Sequence, residues 1–314
     1  MTLAASPAQN AGAPVVEPER LSWRLARIGA FFWRFGALRW GRRLFRSVKP
    51  GTLVARPLFG FSFVGDVSRE GPERVLYLVG ERYIDELALI QPLLKPGQHA
   101  VDVGTNIGYY SLMFARCLGE AGRITAIEPS VENLPELRAN IERNNLSDRV
   151  TIIDCAVGDK PSKVGLKAGI NSGIAAGDEA AYTVRLDTLD NLVSGPVDFL
   201  KMDIEGYELF ALEGARKLIE AYQPTLFIEV HPSHIRALRS GPAMRGVVAF
   251  LGERYGNLKV YDQHPSMSRL RKVFNQYLGL PQYREVHDLE AFLDLMDARE
   301  NPRPFWVICR PDRP

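Results

Sequence analysis

The sequence predicts a doubly wound α/β fold: a mostly parallel, seven-stranded sheet with helices on both faces, preceded by a basic helical extension. Three observations predict it. Short, apolar, β-branched runs recur at 100–103, 124–128, 150–153, 197–202, 226–230, 258–261 and 305–309. Helical periodicity separates them at 109–118, 131–144, 207–222 and 247–255. The runs are apolar in the way expected of strands that helices cover on both sides.

Composition agrees. The 314 residues are 46% hydrophobic and 24% charged, the balance of a folded globular chain. Lys and Arg number 39 against 37 Asp and Glu, so the net +2 exerts no global pull on nucleic acid, and no nucleic-acid partner is expected. The three cysteines, Cys117, Cys155 and Cys309, form no CxxC pair. A disulfide framework and a structural zinc cluster are therefore not expected, and a reducing cytoplasm fits.

Taken in order, residues 1–19 read as a disordered tail without the charged and apolar regions of an export signal. Residues 20–49 carry nine basic residues and no acidic one, together with Trp23, Trp33 and Trp40. On a helix, Arg20, Arg24, Arg27 and Arg34 share one face and Leu21, Leu25, Ile28, Phe32 and Phe35 an adjacent one. Two readings follow. The segment lies on an anionic membrane surface or docks a lipid-linked substrate, at the inner face of the membrane; or it packs its aromatic face on the following domain. The apolar stretch 28–38 is interrupted by Arg34 and falls short of the ~20 residues of a bilayer span.

Residues 50–98 form a lead-in, with strand-like runs at 52–55, 59–64 and 74–79 and a helix over 83–94 ending at Pro96-Gly97. The main domain then occupies 99–314. Residues 163–186 break its rhythm and read as an insertion near the site.

The first strand of the alternation ends in Asp102 and runs into a glycine-punctuated loop, Gly104-Thr105-Asn106-Ile107-Gly108, that opens a helix. The next strand ends in Glu128, 20 residues after Gly108, where a carboxylate can accept hydrogen bonds from ribose hydroxyls. A loop and a ribose acid alone serve either a dinucleotide or S-adenosylmethionine. A dinucleotide fingerprint starting at Gly104 needs glycines where the chain has Asn106 and Tyr109, and Asp102 is an awkward neighbour for phosphates. Asp102 suits the cationic methionine end of S-adenosylmethionine instead.

The fourth and fifth strands end in polar clusters, Lys201-Met202-Asp203-Ile204-Glu205 and Glu229-Val230-His231. Ionisable groups at the ends of apolar strands are costly unless they face a cleft or one another.

Residues 102–112 (DVGTNIGYYSL), Ile127-Glu128-Pro129, Ala156-Val157-Gly158-Asp159, 186–190 (LDTLD), 197–212 (VDFLKMDIEGYELFAL), Glu213-Gly214-Ala215 and 227–231 fall in the order seen in one family. Across 80–232 the chain resembles FkbM-type S-adenosylmethionine-dependent methyltransferases. The resemblance implies the Rossmann-like, class I methyltransferase fold and methyl transfer, usually to oxygen. It implies that Asp102, Gly104, Asn106 and Gly108 line the methionine and ribose end of the cofactor. Glu128 would hold the ribose, and the adenine would lie near Cys155 and Ala156, beside Asp154.

A neutral hydroxyl acceptor needs its proton removed or shared, which makes His231 the natural base, with Asp203 and Glu229 orienting it. Alternatively Asp203 and Glu229 bind a Mg2+ ion through oxygen-rich ligation, together with His231. Lys201 is expected to pair with a carboxylate, which keeps the charge of the cluster tolerable. The insertion with Asn171-Ser172-Gly173, and His234, Arg236, Arg239, His264 and Arg269, are expected to wall the acceptor site. Their arginines point to an acidic or polyhydroxy acceptor, such as a sugar, a glycan or another small metabolite. The competing functions are a dinucleotide-dependent oxidoreductase and a non-catalytic cofactor-binding protein.

Overall fold

The computed structural model describes residues 53–66, 86–169, 173–175, 180–238, 243–263, 275 and 280–311. The expected tail at 1–19, the basic helix at 20–49 and the strand at 74–79 lie outside the described residues, as do Asn171, Ser172, Arg239, His264 and Arg269.

The described chain opens with a hairpin, β1 (Leu53–Leu58) antiparallel to β2 (Phe61–Asp66). The expected second strand began at Phe59, but Phe59 and Gly60 form the turn, both at positive φ (54° and 83°), as a two-residue hairpin that follows strand twist requires. The Phe59 ring packs edge-on against Tyr109 at 5.2 Å, and this contact helps hold a phenylalanine in an uncommon conformation. Of the lead-in helix expected over 83–94, residues 83–85 lie outside the described residues; the described part is α1 (Glu86–Ile90), followed by a 3-10 turn over Gln91–Leu93.

The alternation follows: β3 (His99–Val103), α2 (Tyr109–Leu118), β4 (Arg123–Ile127), α3 (Leu134–Arg143) and β5 (Val150–Ile153). The break in rhythm proves to be a separate sheet. Here β6 (Ala156–Val157), β7 (Ser162–Leu166) and β8 (Tyr182–Asp187) pair in the order β6-β8-β7. After α4 (Leu189–Leu192) come β9 (Phe199–Met202), α5 (Glu208–Glu213), α6 (Arg216–Tyr222) and β10 (Thr225–Val230). The single helix expected over 207–222 is thus two. It breaks at Gly214, where a side chain would collide with the carbonyl of Gly158. The remaining elements are α7 (Pro232–Leu238), α8 (Ala243–Gly252), β11 (Asn257–Asp262), β12 (Arg284–Glu285), α9 (Leu289–Asp297) and β13 (Phe305–Arg310).

The central sheet runs β12-β11-β13-β10-β9-β3-β4-β5. All seven expected strands are in it, and β12 adds a two-residue eighth at the edge. Pairing is parallel from β10 through β9, β3 and β4 to β5, while β13 is antiparallel to both β10 and β11. The first strand of the alternation, β3, therefore lies beside the fourth, β9. Connections leave in opposite directions from that point, which opens a crevice at the carboxyl ends of the strands.

Each face of the sheet buries its own core. Ala100 and Phe199 face α2 and α3 with Phe114, Leu112 and Leu137. Val101, Leu200, Met202 and Ile228 face α5, α6, α8 and α9 with Leu212, Ile219, Val247 and Phe292. Among the described residues, no helix is long and apolar enough to cross a membrane.

Candidate active site

The crevice is an open cleft of about 680 Å3 counted out into solvent, walled by the loop after β3, the end of β4, the small sheet and the turn after β9. The loop is pinned at its start, where the Gly104 and Thr105 amides donate to the Ile127 carbonyl at 3.0 and 3.2 Å. Gly104 has φ +74°, and a side chain there would collide with the Asp203 carbonyl. Backbone of the two central strands thus meets at the cleft floor, and only glycine permits it. Asn106, also at positive φ (55°), turns its amide to Glu128 Oε2 at 2.9 Å.

Glu128 is fixed on its other oxygen by the Ser130 amide (3.0 Å) and Asn133 Nδ2 (3.1 Å). Burial pushes its carboxyl up to about 7, against the lowering effect of those donors and Lys201. Beside it, Ile127, Cys155, Ala156, Val157, Leu166 and Ile174 make an apolar wall. Gly104, Asn106, Glu128 and Ala156 thus stand around one cavity. Leu166 and Ile174, from the segment expected to wall the acceptor, line the cavity, and Gly173 of the same segment lies against Glu205, where an added side chain would meet its Cβ at 3.4 Å. Asp154 is exposed and does not line the cleft.

Asp102 departs from its expected place in the lining. It is fully buried, with Oδ2 accepting from Thr105 Oγ1 (2.7 Å) and Ser111 Oγ (2.9 Å). The strand register sets it beside Lys201, whose Nζ lies 3.3 Å from Asp102 Oδ1. Even-numbered positions of β3 face α2, so the carboxylate is turned into the protein beneath the loop. Gly108 lies outside the cavity lining too and begins α2. The pairing expected of Lys201 is therefore with Asp102. Lys201 also donates to the Gly104 carbonyl at 3.1 Å, lies 3.9 Å from Asp203 Oδ2 and sits over the Tyr110 ring at 4.7 Å. Its burial opposes the charge, but Asp102 and Asp203 outweigh it and raise its pKa.

The far end of the cleft is crowded with acids. His231 Nε2 lies 3.6 Å from Glu205 Oε2, 3.8 Å from Asp203 Oδ1 and 3.9 Å from Glu229 Oε1. Its Nδ1 meets Glu208 Oε1 at 3.1 Å, an oxygen that also accepts the Gly206 amide at 2.8 Å. Burial works against a charged imidazole here. The Glu208 hydrogen bond and the charges of Asp203, Glu208 and Glu229 outweigh it, holding the His231 pKa well above 6.5. These acids thus favour the charged form of the ring relative to a free imidazole. The neighbouring acids respond to one another. Glu229 is pushed to about 7 by burial and then by Asp203, while Gln263 Nε2 donates to its Oε1 at 2.6 Å. Glu86, on α1, is pushed to about 8 by burial and then by Glu229, and Tyr110 donates to it at 3.1 Å. Burial and Asp203 likewise raise Glu205.

Among the described residues, one group places ligand atoms within 4.8 Å of one another in metal-binding fashion: Asp203, Glu205 and His231. Glu229, expected as a ligand, is not in it, and Glu205 takes that place. The motif carried the signal for Glu205, which follows Asp203 by two residues and bends back at φ 54°. Glu208 lies within the family-like stretch 197–212 without an expected role, and Glu86 had no signal, since only the tertiary fold brings it in. His234 Nδ1 lies 2.9 Å from Glu205 Oε2, at the site as expected. Arg236 does not face it: its guanidinium donates to the carbonyls of Asp297, Arg299 and Glu300.

A protein-L-isoaspartate O-methyltransferase of Triticum aestivum is 40% identical over 58 residues, which are 18% of this chain and 25% of the wheat protein. A methyltransferase FkbM crystal structure from Methylobacillus flagellatus KT shares 22% identity, covering 60% of this chain and 48% of that one, with a TM-score of 0.39. An S-adenosylmethionine-dependent O-methyltransferase structure from Thermotoga maritima shares 16% identity over 74% of this chain and 67% of that one, with a TM-score of 0.38. The chain thus spans about a quarter of the wheat relative and half of the Methylobacillus one. The description methyltransferase FkbM domain matches residues 102–258, from Asp102 below the loop to β11, which is half of the sequence, and the chain belongs to the FkbM methyltransferase family.

Proposed function

We propose that the protein transfers the methyl group of S-adenosylmethionine to a hydroxyl oxygen of a sugar, a glycan or another small metabolite. One observation carries the reading: a single cleft is lined by a buried acceptor carboxylate, Glu128, with an apolar wall, and also by Asp203 and Glu205, which cluster with His231. The cofactor supplies a methyl group already activated on a sulfonium. The chain's part is to hold and align, which can contribute ~7–11 kcal/mol when reacting atoms are fixed in line. Glu128 accepts from ribose hydroxyls, the apolar wall covers the base, and the Gly104 backbone leaves room along the loop.

The acceptor proton needs a destination. The Glu208-bound imidazolium offsets the charge of Asp203, Glu205 and Glu229 rather than taking that proton. Glu229 is the base the site offers, because its carboxyl, at about 7, is balanced near the operating pH. The donor set also supports a second reading. Two carboxylates and one imidazole within 4.8 Å, among further acids that burial and mutual repulsion raise, fit a Mg2+-like ion. Asp203, Glu205 and His231 would hold it, and it would polarise the acceptor oxygen. Crowded carboxylates repel an anionic acceptor, which favours a neutral polyhydroxy one.

Titrating the protein with S-adenosylmethionine and with NADH tests the cofactor; binding of NADH alone would overturn the reading. Labelled methyl incorporation into cell extracts identifies the acceptor. Residues 20–49 are proposed to meet an anionic membrane surface or a lipid-linked acceptor from the cytoplasmic side. Charge reversal of Arg24, Arg27 and Arg34 in the full chain should then abolish binding to anionic liposomes and leave cofactor binding intact.

A further inference from the structure

One face of α3 treats β2 as a neighbouring strand would. The Val64 amide donates to Asn140 Oδ1 at 2.8 Å, and Asn140 Nδ2 donates back to the Val64 carbonyl at 2.8 Å. One helical turn on, Asn144 repeats the exchange with Ser62, at 2.8 Å and 3.0 Å. One turn earlier, Glu136 accepts from the Asp66 amide at 3.3 Å. Positions 136, 140 and 144 share a helix face, and positions 62, 64 and 66 share a strand edge, so the two periods coincide.

Asn140 does one thing more. It is fully buried, and its Nδ2 also donates to the Ile107 carbonyl at 2.9 Å. A side-chain amide has two N–H donors, and here one holds the hairpin while the other holds the loop. Ile107 lies in that loop next to Asn106, whose amide meets Glu128. The Phe59 and Phe63 rings of the hairpin add edge-on contacts to Tyr109, at 5.2 and 6.1 Å, where α2 leaves the loop.

We propose that Asn140 is a positioning residue for the cofactor, tying the hairpin at 53–66 to the loop at 104–108 so that a segment outside the matched family region completes the cofactor site. The reason is energetic. The Ile107 carbonyl is buried with Asn140 as its side-chain donor, and losing that donor frees the loop to seek other partners and to draw Asn106 away from Glu128. By linkage, whatever the hairpin lends to the cofactor-binding form of the loop, bound cofactor returns to the hairpin.

This inference rests on reading the cleft as the S-adenosylmethionine site, and the experiment separates the two. Calorimetry with S-adenosylhomocysteine on the wild-type full chain comes first, and absence of binding overturns that reading. Asn140→Ala is then compared with Asn144→Ala, which loosens the same hairpin without touching the loop. Asn140→Ala should weaken S-adenosylhomocysteine binding about tenfold, the effect of one lost buried partner, and raise the cofactor KM with little change in the acceptor KM. Asn144→Ala should bind within about twofold of wild type, the scale of a surface change. Wild-type affinity in folded Asn140→Ala, or an equal loss in Asn144→Ala, overturns the proposal. Should Asn140→Ala fail to fold, hydrogen exchange on the wild-type protein decides: the Val64 amide should exchange more slowly with S-adenosylhomocysteine bound, and an unchanged rate overturns the proposal.

Discussion

His231 Nδ1 and Glu208 Oε1 lie 3.1 Å apart in a buried pair, and this contact decides what the histidine can do. A ring held as a cation donates hydrogen bonds and cancels charge. Because its folded pKa is raised above 6.5, the stability it contributes is complete below pH 6.5 and is lost as pH rises through the folded value. Glu208→Gln should lower the His231 pKa, read from its imidazole proton shifts in NMR titration. Glu208→Ala, which also strips the acceptor from the Gly206 amide, should cost about 3–5 kcal/mol in denaturant unfolding.

Cofactor affinity should depend on pH through Glu128. Ribose hydroxyls donate to the ionised carboxylate, and burial raises this carboxyl to about 7. As pH falls below that value, the Kd for S-adenosylhomocysteine should rise about tenfold per unit, because a proton must leave on binding. Glu128→Gln should remove this dependence and weaken binding by about tenfold or more at pH 8. Calorimetry between pH 5 and 8 on the order of one-unit steps measures both.

Gly104→Ala should be among the most damaging small changes in the chain. Its added methyl meets the Asp203 carbonyl, and φ +74° strains the backbone as well. The expected cost is about 1–3 kcal/mol or more in unfolding experiments, with cofactor binding lost because β3 and β9 must part at the cleft floor.

Asp203→Asn should reduce kcat by about 10^2–10^4 while leaving S-adenosylhomocysteine affinity within a few-fold. A chelator separates the two mechanisms. With an ion at Asp203, Glu205 and His231, chelation should silence wild type, and Mn2+ affinity should rise with pH as the metal displaces the His231 proton. With Glu229 as base, chelation should leave wild-type turnover unchanged.

The central sheet was legible because buried parallel strands announce themselves as apolar β-branched runs, and all seven runs became strands. The hairpin turn was misplaced by two residues because Phe59, a good strand former, is held at the turn by its ring contact with Tyr109. Helices α7 and α9 went unread. The second nevertheless carried a local signal, Asp288, whose side chain caps the Ala291 amide ahead of an amphipathic run.

Chemistry at the strand ends could be foreseen from local order alone: Gly104, Glu128, Asp203 and His231 each sit where a strand stops, and strands of a parallel sheet stop on one side. What each group does there was set by neighbours distant in the chain. Register placed Lys201 against Asp102 and turned that acid away from the cleft. Packing brought Glu208 to His231, which favours the charged form of that ring, and it brought Asn140 to Ile107. Periodicity is written in neighbouring residues, whereas protonation and partner choice depend on fields and hydrogen bonds between residues that only folding brings within a few ångströms.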